Sequence, residues 1–454
     1  MNLNKIERDI KVQGIKHKGV SVWPIIKCYL IDLVGERKVI KKVDQSFIKI
    51  VLNGIWLDVG SLLNLRKSKY WVFSTSQTRF RLNEESIDRV ASSLLRYLPN
   101  IVLIENPIPK GKTSRSKFQK NEFYVGMSLM FLGQFVVQKL TRKPKIKDFE
   151  KLEKYLDADL ERFYPIYHRI YASMLFYGFL FRIIRPKMIF AVCYYCNFGM
   201  IWAAKKKNIP VVEMQHGLIA DAHRAYNFTE KQDNRLMPDY LLSYGAESTK
   251  VALKGNIVTT DRVLNYGNTF LQDVYERLSA SKTLIAYRRR FERVICVTGQ
   301  LELTDRPLIQ MLSEICVAFP RVGFLYKPRH LDSFLDFSGQ DNLIRCDGIN
   351  TYELMKYCDY HLTVYSTCAL ESLALGTPNI SVDIKGYYKR YLHDILKDNP
   401  YNFEVGSKLA LKNLILSLNN ETFIQEKVKA SVHHIFAKGV DRTAFHSFFK
   451  GVIN

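Results

Sequence analysis

Acidic residues are scarce in this chain: 44 Asp and Glu stand against 67 Lys and Arg over 454 residues, a formal charge of +23. The deficit is uneven, because residues 1–150 carry 28 basic and only 13 acidic side chains. A surface of that kind attracts nucleic acid, anionic lipid headgroups or a phosphorylated substrate, and charge alone does not choose among them. Long hydrophobic runs are missing too. The most apolar stretches, Gly126 to Val137 and Tyr171 to Ile184, are too short or are interrupted by Arg182, so neither reads as a membrane span. The opening MNLNKIERDI is charged and lacks the apolar core of a cleavable signal. The expectation is a cytoplasmic protein, with docking on the inner face of the plasma membrane as a role for its basic surface.

Cysteines number 8 and are scattered. Cys193 and Cys196 alone have CxxC spacing, and no second Cys or His pair completes a metal site. They are expected to be free thiols buried in a strand. What remains is an ordinary globular composition, 47% apolar and 24% charged. A chain of 454 residues exceeds what one core organises, which argues for two domains.

The first 60 residues alternate apolar and basic positions, as in SFIKIVLNGIWLDVG, and suggest short strands. Lys69 to Ser76 reads as a buried strand, Ser86 to Leu98 as a helix, and ENPIPKGKTSRSK as a mobile loop. From Asp148 to Ile184 the apolar positions recur at helical spacing until Arg185-Pro186 breaks the pattern. Strands at Lys187 to Cys193, Ile209 to Met214 and Tyr240 to Tyr244 alternate with helices, and a second series follows at Arg293 to Thr298, Val322 to Tyr326, Leu343 to Cys346, His361 to Tyr365 and Pro378 to Val382. Apolar runs alternating with helices predict parallel sheets covered on both faces. The fold class is therefore α/β, with one domain over 1–275, a second over 290–420, and C-terminal helices in 421–454 that could cross back.

Ligands of such sheets bind beyond the carboxyl ends of the strands. Gln215-His216-Gly217 ends a strand there, with Gly217 allowing a tight turn and His216 placed to take a proton from a hydroxyl at neutral pH. Asp221 and His223 are close enough in sequence to orient His216 or to act as the base themselves. Glu213 stands below them as a candidate, since it lies within the strand. In the second series, Lys327-Pro328-Arg329-His330 puts three potential cations at a strand end, suited to phosphate. Ser366 and Thr367 stand at the start of a short helix that Gly376 stops, a place for an anion. Glu371 falls outside capping-box spacing, which leaves its carboxylate for a ribose diol. Thr298-Gly299 could approach phosphate as well. Asp157-Ala-Asp159 matches a DxD metal motif but lies in a helical pattern, and no metal is expected.

Taken together, the QHG turn, the KPRH turn and the ST…E…GTP helix resemble GT-B fold glycosyltransferases, with two Rossmann-like domains facing a cleft. Within that superfamily the chain is most similar to bacterial surface-polysaccharide enzymes: capsule and O-antigen transferases and the CDP-glycerol glycerophosphotransferases. The resemblance covers about residues 187 to 385. It implies His216 as general base on the acceptor and Lys327 and His330 on the donor phosphates, while Gln215, Gly217, Thr298 and Gly299 are placed beside the donor by their positions at strand ends. The family's turn is KPHP-like where this chain reads KPRH. Ser366 and Thr367 would bind phosphate and Glu371 the nucleotide ribose. The implied partners are a nucleotide-sugar co-substrate, a lipid-linked or oligosaccharide acceptor and an anionic membrane, with no cofactor, metal or nucleic acid. A polyol-phosphate transferase or a nucleotide-sugar epimerase would keep the same fold; a basic nucleic-acid-binding protein is the alternative of another class, without an aromatic platform to support it.

Overall fold

A computed structural model describes residues 3–34, 51, 54–55, 58–75, 79–83, 85–106, 121–221, 223–329, 340–418 and 422–453. The chain divides into two compact units, Met1–Gly267 with Ala437–Asn454, and Asn268–Phe436.

The first unit is built on seven parallel strands: β1 (Tyr70–Ser74), β2 (Ile101–Glu105), β3 (Glu122–Gly126), β4 (Met188–Val192), β5 (Val211–Met214), β6 (Tyr240–Ser243) and β7 (Val263–Asn265). Their order is β7-β6-β5-β4-β1-β2-β3. Every residue of β2, β4, β5 and β6 is buried. That is why these strands are mostly apolar in the sequence. Helices α1 (Phe163–Ile183) and α2 (Phe198–Lys205) supply part of the cover. The second unit repeats the plan with β8 (Arg293–Thr298), β9 (Val322–Lys327), β10 (Leu343–Arg345), β11 (Tyr360–Thr363), β12 (Asn379–Val382) and β13 (Asn402–Val405), ordered β10-β9-β8-β11-β12-β13 and all parallel. Each sheet changes winding direction once, between β1 and β4 in the first and between β8 and β11 in the second. Such a switch point opens a crevice at the carboxyl edge.

Several expectations fail for physical reasons. The first residues form helices, Leu3–Asp9 and Trp23–Val34, rather than mainly strands. The basic alternation misleads because Lys27 is itself internal, paired with Glu7 at 2.8 Å with both side chains 1% exposed. Of SFIKIVLNGIWLDVG, the described residues Val51, Gly54, Ile55 and Asp58 are helical, Val59 is a turn and Gly60 opens a 3-10 helix; the rest lies outside the described residues, as does most of ENPIPKGKTSRSK. The helix expected over Ser86 to Leu98 is a hairpin strand, Glu85–Asp88 paired with Arg79–Leu82, followed by a 3-10 turn, Ser92–Arg96. Asp88 causes this: its Oδ1 accepts the Val90 and Ala91 amides at 2.8 Å, a local bond that outcompetes a helix. The helical pattern from Asp148 to Ile184 is broken at Asp157, whose φ of 47° is left-handed. The DxD residues therefore lie in a helix break, and among the described residues no cluster could hold a metal ion.

The hairpin brings Arg79 into the interior, with Nε 2.8 Å from Glu105 and Nη2 2.9 Å from Glu122. Both carboxylates are fully buried. Burial pushes the Glu105 carboxyl up to about 7 against the pull of the guanidinium.

The chain's end returns to the first unit. Helix Arg442–Phe448 seats Phe445 and Phe449 in its core, with Phe445 stacked on Tyr97 at 4.5 Å and Phe449 edge-on to Tyr240 at 5.3 Å. No helix among the described residues is long and apolar enough to cross a membrane.

Candidate active site

In the first unit, the carboxyl ends of β4 and β5 are neighbours. After Val192 the chain turns sharply: Cys193 adopts φ 71° and a 3-10 turn, Tyr194–Cys196, follows. The two cysteines are thus not buried in a strand as expected. Cys193 is buried beyond the end of β4, and Cys196 is exposed.

After Met214, Gln215 extends the ladder by donating its amide to the Leu242 carbonyl at 3.0 Å. Its side chain is saturated. Nε2 donates to the Gly217 carbonyl at 2.9 Å and to Ser248 Oγ at 2.8 Å, while Oε1 accepts the Tyr244 amide at 2.6 Å. Gln215 therefore fixes the turn from within and spends all its polar atoms on its own chain. Gly217 has open space where a side chain would go and needs no left-handed backbone. The conformational argument for glycine at that position does not hold.

His216 is held with Nδ1 3.8 Å from Glu213 Oε1, and a quarter of its side chain is open to solvent. Burial lowers its pKa below the ordinary 6.5. At neutral pH the ring is therefore unprotonated and able to accept a proton. Beneath it, Glu213 is completely buried in β5. It accepts the Tyr194 amide at 2.8 Å and the Tyr226 hydroxyl, and burial pushes its carboxyl well above the usual range. His223 joins the same cluster. Its ring centroid lies 4.9 Å from that of Tyr226 and 5.4 Å from that of Tyr195, whose own ring is 6.1 Å from His216. Burial and the neighbouring His216 hold His223 down at about 4. Asp221 stands apart, with its carboxylate on the surface 3.0 Å from Lys254. The carboxyl group nearest His216 is thus Glu213, which the sequence ranked below it.

In the second unit the switch point is bound tightly. Thr298 ends β8 and contacts His361 Nε2 at 2.8 Å, while Thr363 donates its hydroxyl to the Thr298 carbonyl at 3.1 Å. His361 Nδ1 meets Asn379 Oδ1 at 2.8 Å, so Nδ1 carries the proton and Nε2 accepts from Thr298. Full burial holds His361 at about 4. Helix α3 (Glu302–Ala318) starts beyond Thr298-Gly299-Gln300, and Asp305 in its first turn accepts the Gln300 amide at 2.9 Å. At the end of β9, Lys327 donates to the carbonyls of Cys346 at 3.1 Å and Asp347 at 2.7 Å. Its ammonium ties β9 to β10. Arg329 is exposed, and His330 lies outside the described residues. Helix α4 (Cys368–Ala374) follows β11; Ser366 Oγ accepts its first amide at 3.3 Å, Thr367 is exposed and Glu371 is half-buried in its first turn. Gly376 stops the helix at φ 87°, with Gln425 filling the space a side chain would need.

No family model matches the sequence, and no curated protein matches it. Solved structures do. A UDP-GlcNAc 2-epimerase from Neisseria meningitidis, bound to UDP-GlcNAc, matches with a TM-score of 0.53 at 13% identity over 85% of this chain and 99% of that one. The UDP-GlcNAc 2-epimerase of Methanocaldococcus jannaschii matches at 0.51 and 11% identity over 80% of this chain and 98% of that one. The glycotransferase of kitacinnamycin matches at 0.50 and 9% identity over 85% and 99%. The chain has the GT-B fold.

Sequence reasoning passed over one feature of this GT-B chain entirely. Tyr365, at the end of β11, stacks on Tyr387 at 5.0 Å and on Tyr391 at 5.4 Å, forming an aromatic stack at the carboxyl edge. Tyr387 and Tyr391 are four residues apart in YYKRY, the spacing that places two side chains on one helix face.

Gly299 is required by packing. A methyl group there would lie 2.3 Å from Tyr326 Oη and 2.6 Å from Asp305 Oδ2, forcing apart a buried 2.8 Å hydrogen bond. Gly299→Ala is expected to destabilise the second unit by about 1–3 kcal/mol, read as a lower urea midpoint at unchanged slope.

Proposed function

We propose that this GT-B chain is a glycosyltransferase that moves a sugar from a nucleotide-sugar donor to a lipid-linked or glycan acceptor in bacterial surface-polysaccharide synthesis, the role its resemblance to capsule and O-antigen transferases implies. The observation that carries the reading is His216: an unprotonated imidazole, partly open to solvent, at a carboxyl edge above a buried carboxyl group. In this reading His216 takes the proton of the acceptor hydroxyl as that oxygen attacks the anomeric carbon. His223 and Tyr195 belong to the same cluster of side chains, with Glu213 beneath the imidazole, 3.8 Å from its Nδ1. The departing nucleotide is bound by the second unit, with Ser366, Thr367, Arg329 and His330 toward phosphate and Glu371 toward the ribose. Lys327 contributes its charge from its place on the Cys346 and Asp347 carbonyls. Cations suffice to neutralise the leaving group, so the mechanism uses no metal and no cofactor beyond the nucleotide sugar. The basic first 150 residues support an acceptor carried on a lipid pyrophosphate at an anionic membrane.

A second reading, nucleotide-sugar epimerisation, is favoured by the presence of UDP-GlcNAc 2-epimerases among the matching folds. The two differ in their need for an acceptor. Thermal stabilisation by UDP, GDP, CDP and CMP, measured side by side, is expected to single out one nucleotide. At 100 times its Kd a ligand adds about 2.7 kcal/mol. The matching nucleotide sugar should then be consumed only when acceptor is present. Conversion without acceptor would replace the transferase reading by the epimerase, turnover of a CDP-polyol by the polyol-phosphate transferase, and stabilisation by none of the four would remove all three.

A further inference from the structure

We propose that Cys193 and Cys196 form a reversible intrachain disulfide, a thiol-modification site at the switch point of the first sheet whose oxidation slows chemistry at His216. The sulfurs already lie 3.0 Å apart, with the Cys193 thiol donating to Cys196 Sγ. Bond formation needs a further approach of about 1 Å. Backbone geometry supplies the alignment: the Cys196 amide donates to the Cys193 carbonyl at 3.1 Å, and Asn197 Nδ2 holds the same carbonyl at 3.1 Å. Exposure divides the labour. Cys196 is open to solvent and can meet an oxidant, whereas Cys193 is buried behind it and can only resolve what Cys196 has captured. Hydrogen bonding from Cys193 also lowers the Cys196 pKa, which raises its thiolate fraction.

The two residues between the sulfurs are the ones that build the site. The Tyr194 amide holds Glu213, and the Tyr195 ring lies 6.1 Å from that of His216 and 5.4 Å from that of His223. Closing the S–S bond tightens this turn and moves both.

The oxidant we name is a low-molecular-weight disulfide. The Cys196 thiolate attacks one of its sulfurs, forming a mixed disulfide and expelling one thiolate. Cys193 then loses its proton and attacks Cys196 Sγ, expelling the second thiolate. The chain loses two protons and two electrons, which the oxidant takes up as its S–S bond becomes two thiols.

The test uses the full-length protein equilibrated in oxidised or in reduced glutathione, then acid-quenched for intact mass and peptide mapping. The expected product lacks the mass of two hydrogens and links Cys193 to Cys196. Cys193→Ser should instead accumulate one glutathione on Cys196, and Cys196→Ser should take up none at either position. An unchanged mass for the native protein overturns the proposal. So does a bond from Cys196 to Cys28, the fully buried thiol in the same unit. The effect on chemistry rests on the transferase reading, whereas the mass measurement does not. Turnover should fall at least tenfold on oxidation and recover in dithiothreitol, with the nucleotide-induced rise in Tm unchanged. Cys196→Ser should turn over equally in both buffers. A mapped disulfide that leaves turnover unchanged overturns the coupling to His216.

Discussion

Replacing His216 with alanine is expected to lower kcat by about 10²- to 10⁴-fold, the usual contribution of a positioned general base, while the nucleotide-induced rise in Tm stays that of the parent. The second readout separates loss of chemistry from loss of donor binding, because the residues proposed to hold the nucleotide belong to the other unit. The pH profile carries the assignment further. A base works unprotonated, so kcat/KM should be level at neutral pH and fall as the proton returns. Burial depresses the His216 pKa, and the acid limb must therefore have its midpoint below the ordinary value of 6.5. A midpoint near 4 would move the role to His223, which burial and the repulsion of His216 hold there. Retention of parental turnover in His216→Ala would end the proposed mechanism.

The second large effect is on stability. Arg79→Met leaves Glu105 and Glu122 buried without their shared cation, and removing one partner of a buried ion pair costs about 3–5 kcal/mol. That is a large part of the 5–15 kcal/mol that typically holds a folded protein together. A lower thermal and urea midpoint should show it. Its pH dependence follows from Glu105. The folded state keeps that proton up to about pH 7, whereas a free carboxyl gives it up near 4.5. Between those values the folded state binds more protons than the unfolded chain, so stability falls as pH rises across the window. Glu105→Gln removes this component, and the wild-type minus variant difference should slope downward from about pH 4.5 to about 7. A flat difference would mean that Glu105 is not held protonated.

How much of this was legible in the sequence follows from what buries each residue. The strand Arg293–Thr298 is readable to the residue, and Val211–Met214 to within two, because strands covered on both faces are mostly apolar and short. His216 was legible for a related reason: a polar residue ending such a strand marks the sheet's carboxyl edge. Glu213 was undervalued because a lone carboxyl in a strand gives no hint of partners 19 residues earlier, at Tyr194, and 13 later, at Tyr226. Lys327 misled in the opposite sense. Its charge suggested phosphate, but carbonyls at Cys346 and Asp347, just beyond the end of the neighbouring strand, claim it. Tyr365 could not be joined to Tyr387 and Tyr391 by spacing, since only the adjacency of β11 and β12 brings them together. Local competition hid the rest. Asp88 closes its own turn by hydrogen bonds that hydrophobic periodicity does not register.

The return of the chain's end to the first unit has a consequence for biosynthesis. Tyr97, Tyr240 and Phe190 wait for Phe445 and Phe449, which are synthesised only after the whole of the second unit. The second unit is contiguous and can close before residues 437–454 are made, whereas the first, begun earlier, is completed only once they emerge. Until they emerge, these aromatic rings of the nascent first unit lack their partners and are a natural substrate for chaperones, and a premature stop before Phe445 would leave them uncovered.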